Sequence, residues 1–436
     1  MTKSTLSAAP MCLWRLVAGT KLRRNIMETY GTRVLVAAVG FATTIVIARA
    51  LGPAGRGLFA VAITIGAIGV QFSSLGLHAS NMYYVAKDRA LLPALIGNML
   101  AVVLVTAALM VVGGVGFVIW PNLSPIHGTL LVLAIALIPA GLAYLLTQGL
   151  LLGIDEVRTY NELECVGKTL ILALICIAVF VNRGTVELFL AVSLSSTILT
   201  FLWALLRLRR VSSTRPVLSW VVFRQSIGIG VRAYTIAFFG FLLLRIDLLM
   251  VKYMLGATEA GYYSITQVLA ENTMMFPVIV GLLLFPKLSA NQSKEEKVQL
   301  TSKAVLATAA LMLPVVVIAA LAAGPVISIA FGAKFLPAVL PFIWLMPGTY
   351  FLGLETVMVQ ILNSDGYPPV VILTWIAATI LNVALNFWAI PRYGILGASV
   401  LSSICYFLVF VLVCAVVWKR FYARYPVTYA PQPEPM

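Results

Sequence analysis

From about residue 27 to residue 418 the chain alternates between long apolar stretches and short polar punctuation. Twelve runs stand out, at roughly 27–48, 58–78, 92–119, 129–153, 165–182, 186–206, 227–251, 261–286, 304–331, 336–362, 368–390 and 395–418. Each approaches the roughly 20 residues that a helix needs to cross a hydrocarbon core. A barrel strand would alternate apolar and polar positions, whereas these runs are apolar throughout. Backbone groups in lipid must pair within their own segment, so the runs predict helices. The expected fold is an all-α polytopic membrane protein of twelve transmembrane helices.

The spacing also repeats. Ala50-Leu51-Gly52-Pro53-Ala54-Gly55-Arg56-Gly57-Leu58-Phe59 aligns with Met254-Leu255-Gly256-Ala257-Thr258-Glu259-Ala260-Gly261-Tyr262-Tyr263 at an offset of 204. Both follow the first run of a set of six. Gln148 and Asp155 stand opposite Gln360 and Asp365, and Ser195-Ser196 echoes Ser402-Ser403. Two parallel halves predict pseudo-symmetric six-helix lobes about an axis along the membrane normal, as in many carriers. The expected organisation is a basic N-terminus (1–26), a first lobe (27–206), a basic linker (207–226), a second lobe (227–418) and an unstructured tail (419–436).

Composition excludes most alternatives. Hydrophobic residues make up 61% of the 436 and charged residues 10%, against about 25% charged in soluble domains. The five cysteines lack paired or metal-ligand spacing. A net charge of +15 sits in clusters between runs, not on a basic face with interleaved aromatics, so no nucleic-acid partner is expected. Of the 30 Lys and Arg, the loops on one side hold only six: Arg49, Arg56, Arg183, Lys252, Lys334 and Arg392. Apart from Arg33, Arg232 and Arg245 inside runs, the rest fall on the other side, which places both termini in the cytoplasm.

At three places the residues match more than hydropathy. They are Ala48–Ala60, then Arg245-Ile246-Asp247-Leu248-Leu249-Met250 with Gly261-Tyr262-Tyr263-Ser264, and then Phe331-Gly332-Ala333-Lys334-Phe335 with Leu345-Met346-Pro347-Gly348-Thr349-Tyr350 and Gln360–Pro368. Together they resemble the Wzx-like polysaccharide-biosynthesis branch of the multidrug/oligosaccharidyl-lipid/polysaccharide exporter superfamily. The resemblance runs in order from about 25 to 420. It implies a MATE-like two-lobed fold, alternating access, and an undecaprenyl-pyrophosphate-linked oligosaccharide as substrate in a bacterial cytoplasmic membrane. Membrane lipids and polysaccharide polymerase or assembly proteins are the implied partners. The acidic signature of the multidrug branch is missing.

No catalytic apparatus or cofactor site is legible: there is no P-loop, and neither His78 nor His127 has a metal-spaced partner. Ionisable residues inside lipid are costly and become candidates by default. Arg33 in the first run either faces a cavity or snorkels to the surface. Arg245 and Asp247, two residues apart, cannot share a helix face, so each needs another helix, water or the interface. Asp247 is either a structural ion pair or an ion-coupling site. Tyr263, Gln267 and Glu271 recur at i, i+4, i+8 and form one polar stripe. Glu271, at mid-depth, suits a carboxyl that loads a proton or sodium on one side and releases it on the other. An interhelical hydrogen bond is the competing reading. The first half has Ile63 and Ala67 at the matching positions, so a chemically lopsided cavity is expected. Asn382 and Asn386 form a second i, i+4 pair, for sugar hydroxyls or for a neighbouring helix. Glu355 and Gln360 are expected toward the cytoplasmic entrance. Arg binds pyrophosphate bidentately, so Arg33, Arg245 and, at the outer rim, Arg49 are the expected cationic lining.

The leading reading is a non-enzymatic flippase for lipid-linked oligosaccharide. A cation-coupled multidrug exporter is the alternative. An integral glycan polymerase or ligase is disfavoured by the short outer loops.

Overall fold

The computed structural model describes residues 20–120, 124–211, 215–290, 293–366 and 368–422. The segment before residue 20 and the tail beyond 422, read above as a basic N-terminus and an unstructured end, lie outside the described residues, as does the side chain of Arg232. Among the described residues the regular elements are helical and no strand occurs. They are α1 (Thr20–Ser74), α2 (Leu77–Lys87), α3 (Leu92–Ile119), α4 (Gly128–Gly153), α5 (Val157–Phe180), α6 (Val186–Val211), α7 (Trp220–Leu255), α8 (Ala257–Thr273), α9 (Met275–Ser289), α10 (Lys294–Leu321), α11 (Ala323–Phe331), α12 (Val339–Asn363) and α13 (Pro369–Val417), with short 3₁₀ turns between some of them.

Nine helices among the described residues are long and apolar enough to span, and the bent pair α8–α9 makes a tenth. Two of the ten are too long for one crossing. At about 1.5 Å per residue, the 55 residues of α1 and the 49 of α13 far exceed a core of about 30 Å. Both break at a glycine, Gly52 (φ 66°, ψ −177°) and Gly394 (φ 62°, ψ −149°). Dividing them there is consistent with the twelve apolar runs. Gly256 (φ 96°, ψ −176°) repeats the Gly52 conformation at its own place in the duplication. This backbone region is open almost only to glycine.

Proline sets two further breaks. The α8–α9 pair bends by 41° at Met274, and α10 gives way to α11 at Ala322. Pro277 and Pro325 follow, and the residue four before each, Thr273 and Leu321, is the last of its helix. A proline has no N–H for that carbonyl, and its ring crowds it. Pro286, Pro314 and Pro347 lie inside unbroken helices.

The packing divides by depth. At the end bearing the described termini and the basic loops (the charged end), the first lobe has its own core around Leu95, Met99, Leu142, Leu146 and Leu163. The second lobe has a separate core around Leu269, Phe342, Leu345, Ile361 and Val409, which continues from Leu288 and Val417 at that end to Phe331 and Phe335 at the other and takes in Ala48 of α1. At the opposite, turn end, one core joins both lobes, with Ile47, Val61 and Phe189 against Leu248, Tyr263 and Ile390. The described part of the linker is strapped to the first lobe. Asn98 Nδ2 donates to the Ser219 carbonyl at 2.9 Å, and the Ser219 amide donates to Asn98 Oδ1 at 3.0 Å.

The joined end is sealed by a backbone crossing. The second arm of α1 meets α8 so closely that a Cβ on Gly57 would overlap the carbonyl oxygen of Ala257, and one on Gly261 that of Pro53. These pairs are repeat partners, so the contact is reciprocal. Lipid is as apolar as leucine, so small residues that let backbones approach are what hold such helices together. Arg49 adds a strap. Its Nε donates to the Ala330 carbonyl at 2.8 Å, and its Nη2 donates to that of Ile329. A cation there satisfies orphan carbonyls at the end of α11.

Candidate functional site

Between the separated cores lies a cavity of about 390 Å³. Its walls are Arg33, Phe41 and Thr44 of α1, Tyr160, Asn161 and Glu164 of α5, and Glu271, Asn272 and Met274 from α8 and the bend. Of the predicted lining, Arg33 and Glu271 are here. Arg33 is exposed, and its Nη2 reaches only the hydroxyl of Tyr160, at 3.5 Å.

Glu271 has a partner on a neighbouring helix, as in the interhelical alternative given for it above. Its Oε2 pairs with Arg245 Nη2 at 2.9 Å, and the guanidinium lies 5.7 Å from the centroid of the Phe241 ring. The whole α8 stripe turns toward α7: Tyr263 donates to Asp247 Oδ2 at 3.1 Å, and Gln267 Nε2 donates to the Leu244 carbonyl at 3.0 Å. A side cavity of about 480 Å³ lies within the second lobe, lined by Arg245, Gln267, Glu271, Glu355 and Trp375 among others. Glu271, Met274 and Val278 line both cavities, so the bent helix is the partition between them.

Glu355, expected at the entrance, sits in that side cavity. It is 2% exposed, and its Oε1 has no hydrogen-bond partner. Gln267 Oε1 and Trp375 Nε1 are likewise buried and unpaired there. Asn382 and Asn386 do not line the central cavity either. Both are fully buried and serve Asp247. Asn386 Nδ2 donates to Asp247 Oδ1 at 3.2 Å and to Asn382 Oδ1 at 3.0 Å, and the Ser402 hydroxyl donates to Asp247 Oδ2. Asp247 is thus held by hydrogen bonds from α8 and both arms of α13, not by the ion pair that was one expectation. Asn386 Oδ1 and the Ser399 hydroxyl, three residues before Ser402 on the same face, are buried without partners. Arg49 belongs to the seal at the turn end, because the α11 carbonyls hold it away from the cavity.

Several residues of consequence escaped the sequence reading. Arg56, placed there in an outer loop, is inside a helix and 6% exposed, with its guanidinium carbon 5.8 Å from the Phe59 centroid. Pro53 opens that arm of α1 in the place where proline suits a first turn, so the helix begins five residues before the apolar run does. Glu164 was passed over because α5 begins at Val157, not at 165. Its Oε1 accepts from the Tyr144 hydroxyl at 2.9 Å and from Gln148 Nε2. The first lobe therefore has a polar wall on α5, which corrects the expectation of a lopsided cavity: the polarity sits on a different helix, not on the repeat partner of α8. Among the described residues no three His, Cys, Asp or Glu side chains gather as a metal site.

The fold is shared with known carriers. An inward-facing multidrug resistance MATE family transporter of the MOP superfamily superposes with a TM-score of 0.72 at 12% identity, over 88% of this chain and 94% of that one. The lipid II flippase MurJ, in an inward closed conformation, gives 0.69 at 13%, over 90% and 87%. Such identities speak for the fold alone. A Shigella flexneri protein provisionally named an O-antigen transporter is 26% identical over 159 residues, 36% of this chain and 38% of its own length. An uncharacterized membrane protein of Methanocaldococcus jannaschii is 26% identical over 155 residues, 35% of this chain and 31% of its own. The aligned segments thus span about a third of the length of these relatives. The profile of the polysaccharide biosynthesis protein family matches residues 46–340. That match covers well over half of the chain, which belongs to the polysaccharide biosynthesis protein family.

Proposed function

We propose that the protein flips an undecaprenyl-pyrophosphate-linked oligosaccharide across the bacterial cytoplasmic membrane, for surface polysaccharide assembly, by alternating access between its two lobes. Both termini face the cytoplasm in this reading, and the protein is a carrier and not an enzyme. One observation carries it above all. A chamber with Arg33 at its wall and the Arg245–Glu271 pair at its partition lies between lobes that are joined at one end and separately cored at the other. Arg33 has no carboxylate partner among its described contacts, and a pyrophosphate is the kind of anion that a guanidinium fork binds.

Coupling to a cation falls to Asp247 in this reading. One carboxylate, two amide carbonyls and the hydroxyls of Ser402 and Ser399 gather oxygen donors around it, the chemistry that hard cations take. Two of these donors, Asn386 Oδ1 and Ser399 Oγ, are buried and unsatisfied. Glu271, already paired, becomes a cavity residue instead.

Deleting the gene in its host and extracting the lipids tests the proposal. Stranded undecaprenyl-pyrophosphate glycan, restored to the surface by wild type and not by an expressed Arg245→Ala variant, is the expected outcome. Surface glycan unaffected by the deletion would overturn it. The side cavity, with buried Glu355 beside Trp375 and Tyr406, favours a second reading, export of small amphipathic cations. That reading requires the deletion strain to retain a lipophilic cationic dye that wild type expels.

A further inference from the structure

The first-lobe wall of the central cavity has a chemistry of its own. Glu164 is half-buried, lines the cavity, and is clamped through one oxygen by two donors a helical turn apart on α4, Tyr144 and Gln148. Tyr160 precedes it by one turn on α5, and Asn161 beside it lines the same space. The Tyr160 hydroxyl is the group that Arg33 reaches. A helix rises 1.5 Å per residue, so Glu164 lies about 6 Å further from the charged end than Tyr160. Along the wall the order is therefore guanidinium, phenol, carboxylate.

We infer that this wall is a sugar subsite, in which the Glu164 carboxylate accepts hydrogen bonds from the hydroxyls of the first, uncharged sugar on the lipid-linked substrate. The inference rests on the carrier reading above and adds which residues recognise the glycan. With the pyrophosphate at Arg33, a sugar bonded to it falls one turn deeper, level with Glu164. A carboxylate takes two neighbouring hydroxyls as an acceptor pair, and it repels an acidic sugar in that position. The tyrosine presents an apolar face and a polar tip, which suits the C–H face and the rim of a sugar ring. The clamp from α4 keeps the carboxylate in one place before substrate arrives, so little ordering remains to be done on binding. Glu164 touches the substrate in this scheme, whereas Tyr144 and Gln148 are positioning residues.

The test is binding by the purified full-length protein in nanodiscs. One probe is bare undecaprenyl pyrophosphate, and the other is the lipid-linked repeat unit that accumulates in the host when the gene is deleted. Glu164→Gln keeps an acceptor for Tyr144 and Gln148 and removes the charge. It should weaken the glycan-bearing lipid by about tenfold or more, the scale of one lost charge-assisted hydrogen bond, and leave the bare lipid within about twofold. Arg33→Ala should weaken both lipids alike. Tyr160→Leu, scored for the same selectivity, guards against a Glu164→Gln protein that does not fold. An equal effect of Glu164→Gln on both lipids, or no effect, overturns the subsite. Wild type that binds both lipids equally well overturns it too, while leaving the carrier reading intact. Wild type that binds neither removes the carrier reading and this assignment together.

Discussion

Asp247 shows how a single side chain can organise a lobe. Its carboxylate is fully buried and takes donors from Tyr263, Asn386 and Ser402, so helices distant in sequence meet on one residue. Asp247→Ala should leave those donors without an acceptor. At about 1–3 kcal/mol for each buried unsatisfied group, the cost should reach about 3 kcal/mol or more. A clear fall in the thermal unfolding midpoint of the purified protein is the expected result, and an unchanged midpoint would show that the network holds nothing. Asp247→Asn keeps the size and one acceptor, so it should unfold closer to wild type yet lose any stabilisation by added sodium. The sequence marked Arg245, Asp247, Gln267 and Glu271 as candidates because charge and amide are conspicuous in an apolar run. Their partners were not legible, since pairing depends on which helices become neighbours. Glu164 escaped for a different reason: it stands among Arg158, Glu162 and Lys168, where polarity looks like a loop.

At the scale of elements, the crossing of α1 and α8 decides which end of the bundle is closed. Gly57 and Gly261 have no room for a side chain, because carbonyl oxygens occupy the space where a Cβ would go. Gly57→Leu or Gly261→Leu should therefore disfavour this conformation and part the lobes at the turn end. Arg49→Ala should push in the same direction, more weakly, since it frees the α11 carbonyls from the strap. Spin labels at Arg183 and Lys334, one on each lobe at that end, measure the effect in a cysteine-free background. The inter-label distance should lengthen in the glycine variants, and a distribution matching the parent's would show that the crossing is no gate. The repeat made this pair of positions visible, yet with the apolar run starting at 58 Gly55-Arg56-Gly57 fell among the loops, whereas it is already helix. Proline is a similarly partial guide to where helices bend. Each proline removes one backbone bond, but Pro277 and Pro325 follow bends whereas Pro286, Pro314 and Pro347 lie inside unbroken helices, because surrounding helices decide whether the vacated carbonyl opens into a bend.

For the molecule as a whole, the separation of the two cores at the charged end implies a one-sided chamber. The apolar runs made the all-helical, many-span plan legible from the sequence, because hydrophobic thickness is written locally, and the twelve runs are consistent with the spans among the described residues once α1 and α13 are divided at their glycines. The state of the carrier was not legible, because it depends on contacts between residues some 200 apart. Asn272 is exposed on the cavity wall, and Ala260 is fully buried in the joined core. With the native cysteines replaced, Asn272→Cys should react with a membrane-impermeant maleimide only in vesicles that present the terminus-bearing face outward. Ala260→Cys should stay silent from both faces. Adding Gly57→Leu to the Asn272→Cys protein should shift part of the labelling to the opposite face, because an opened crossing connects the chamber to that side. Labelling of Asn272→Cys equally from both faces without that change would mean that the lobes do not close at the glycines, and alternating access would then need a different gate.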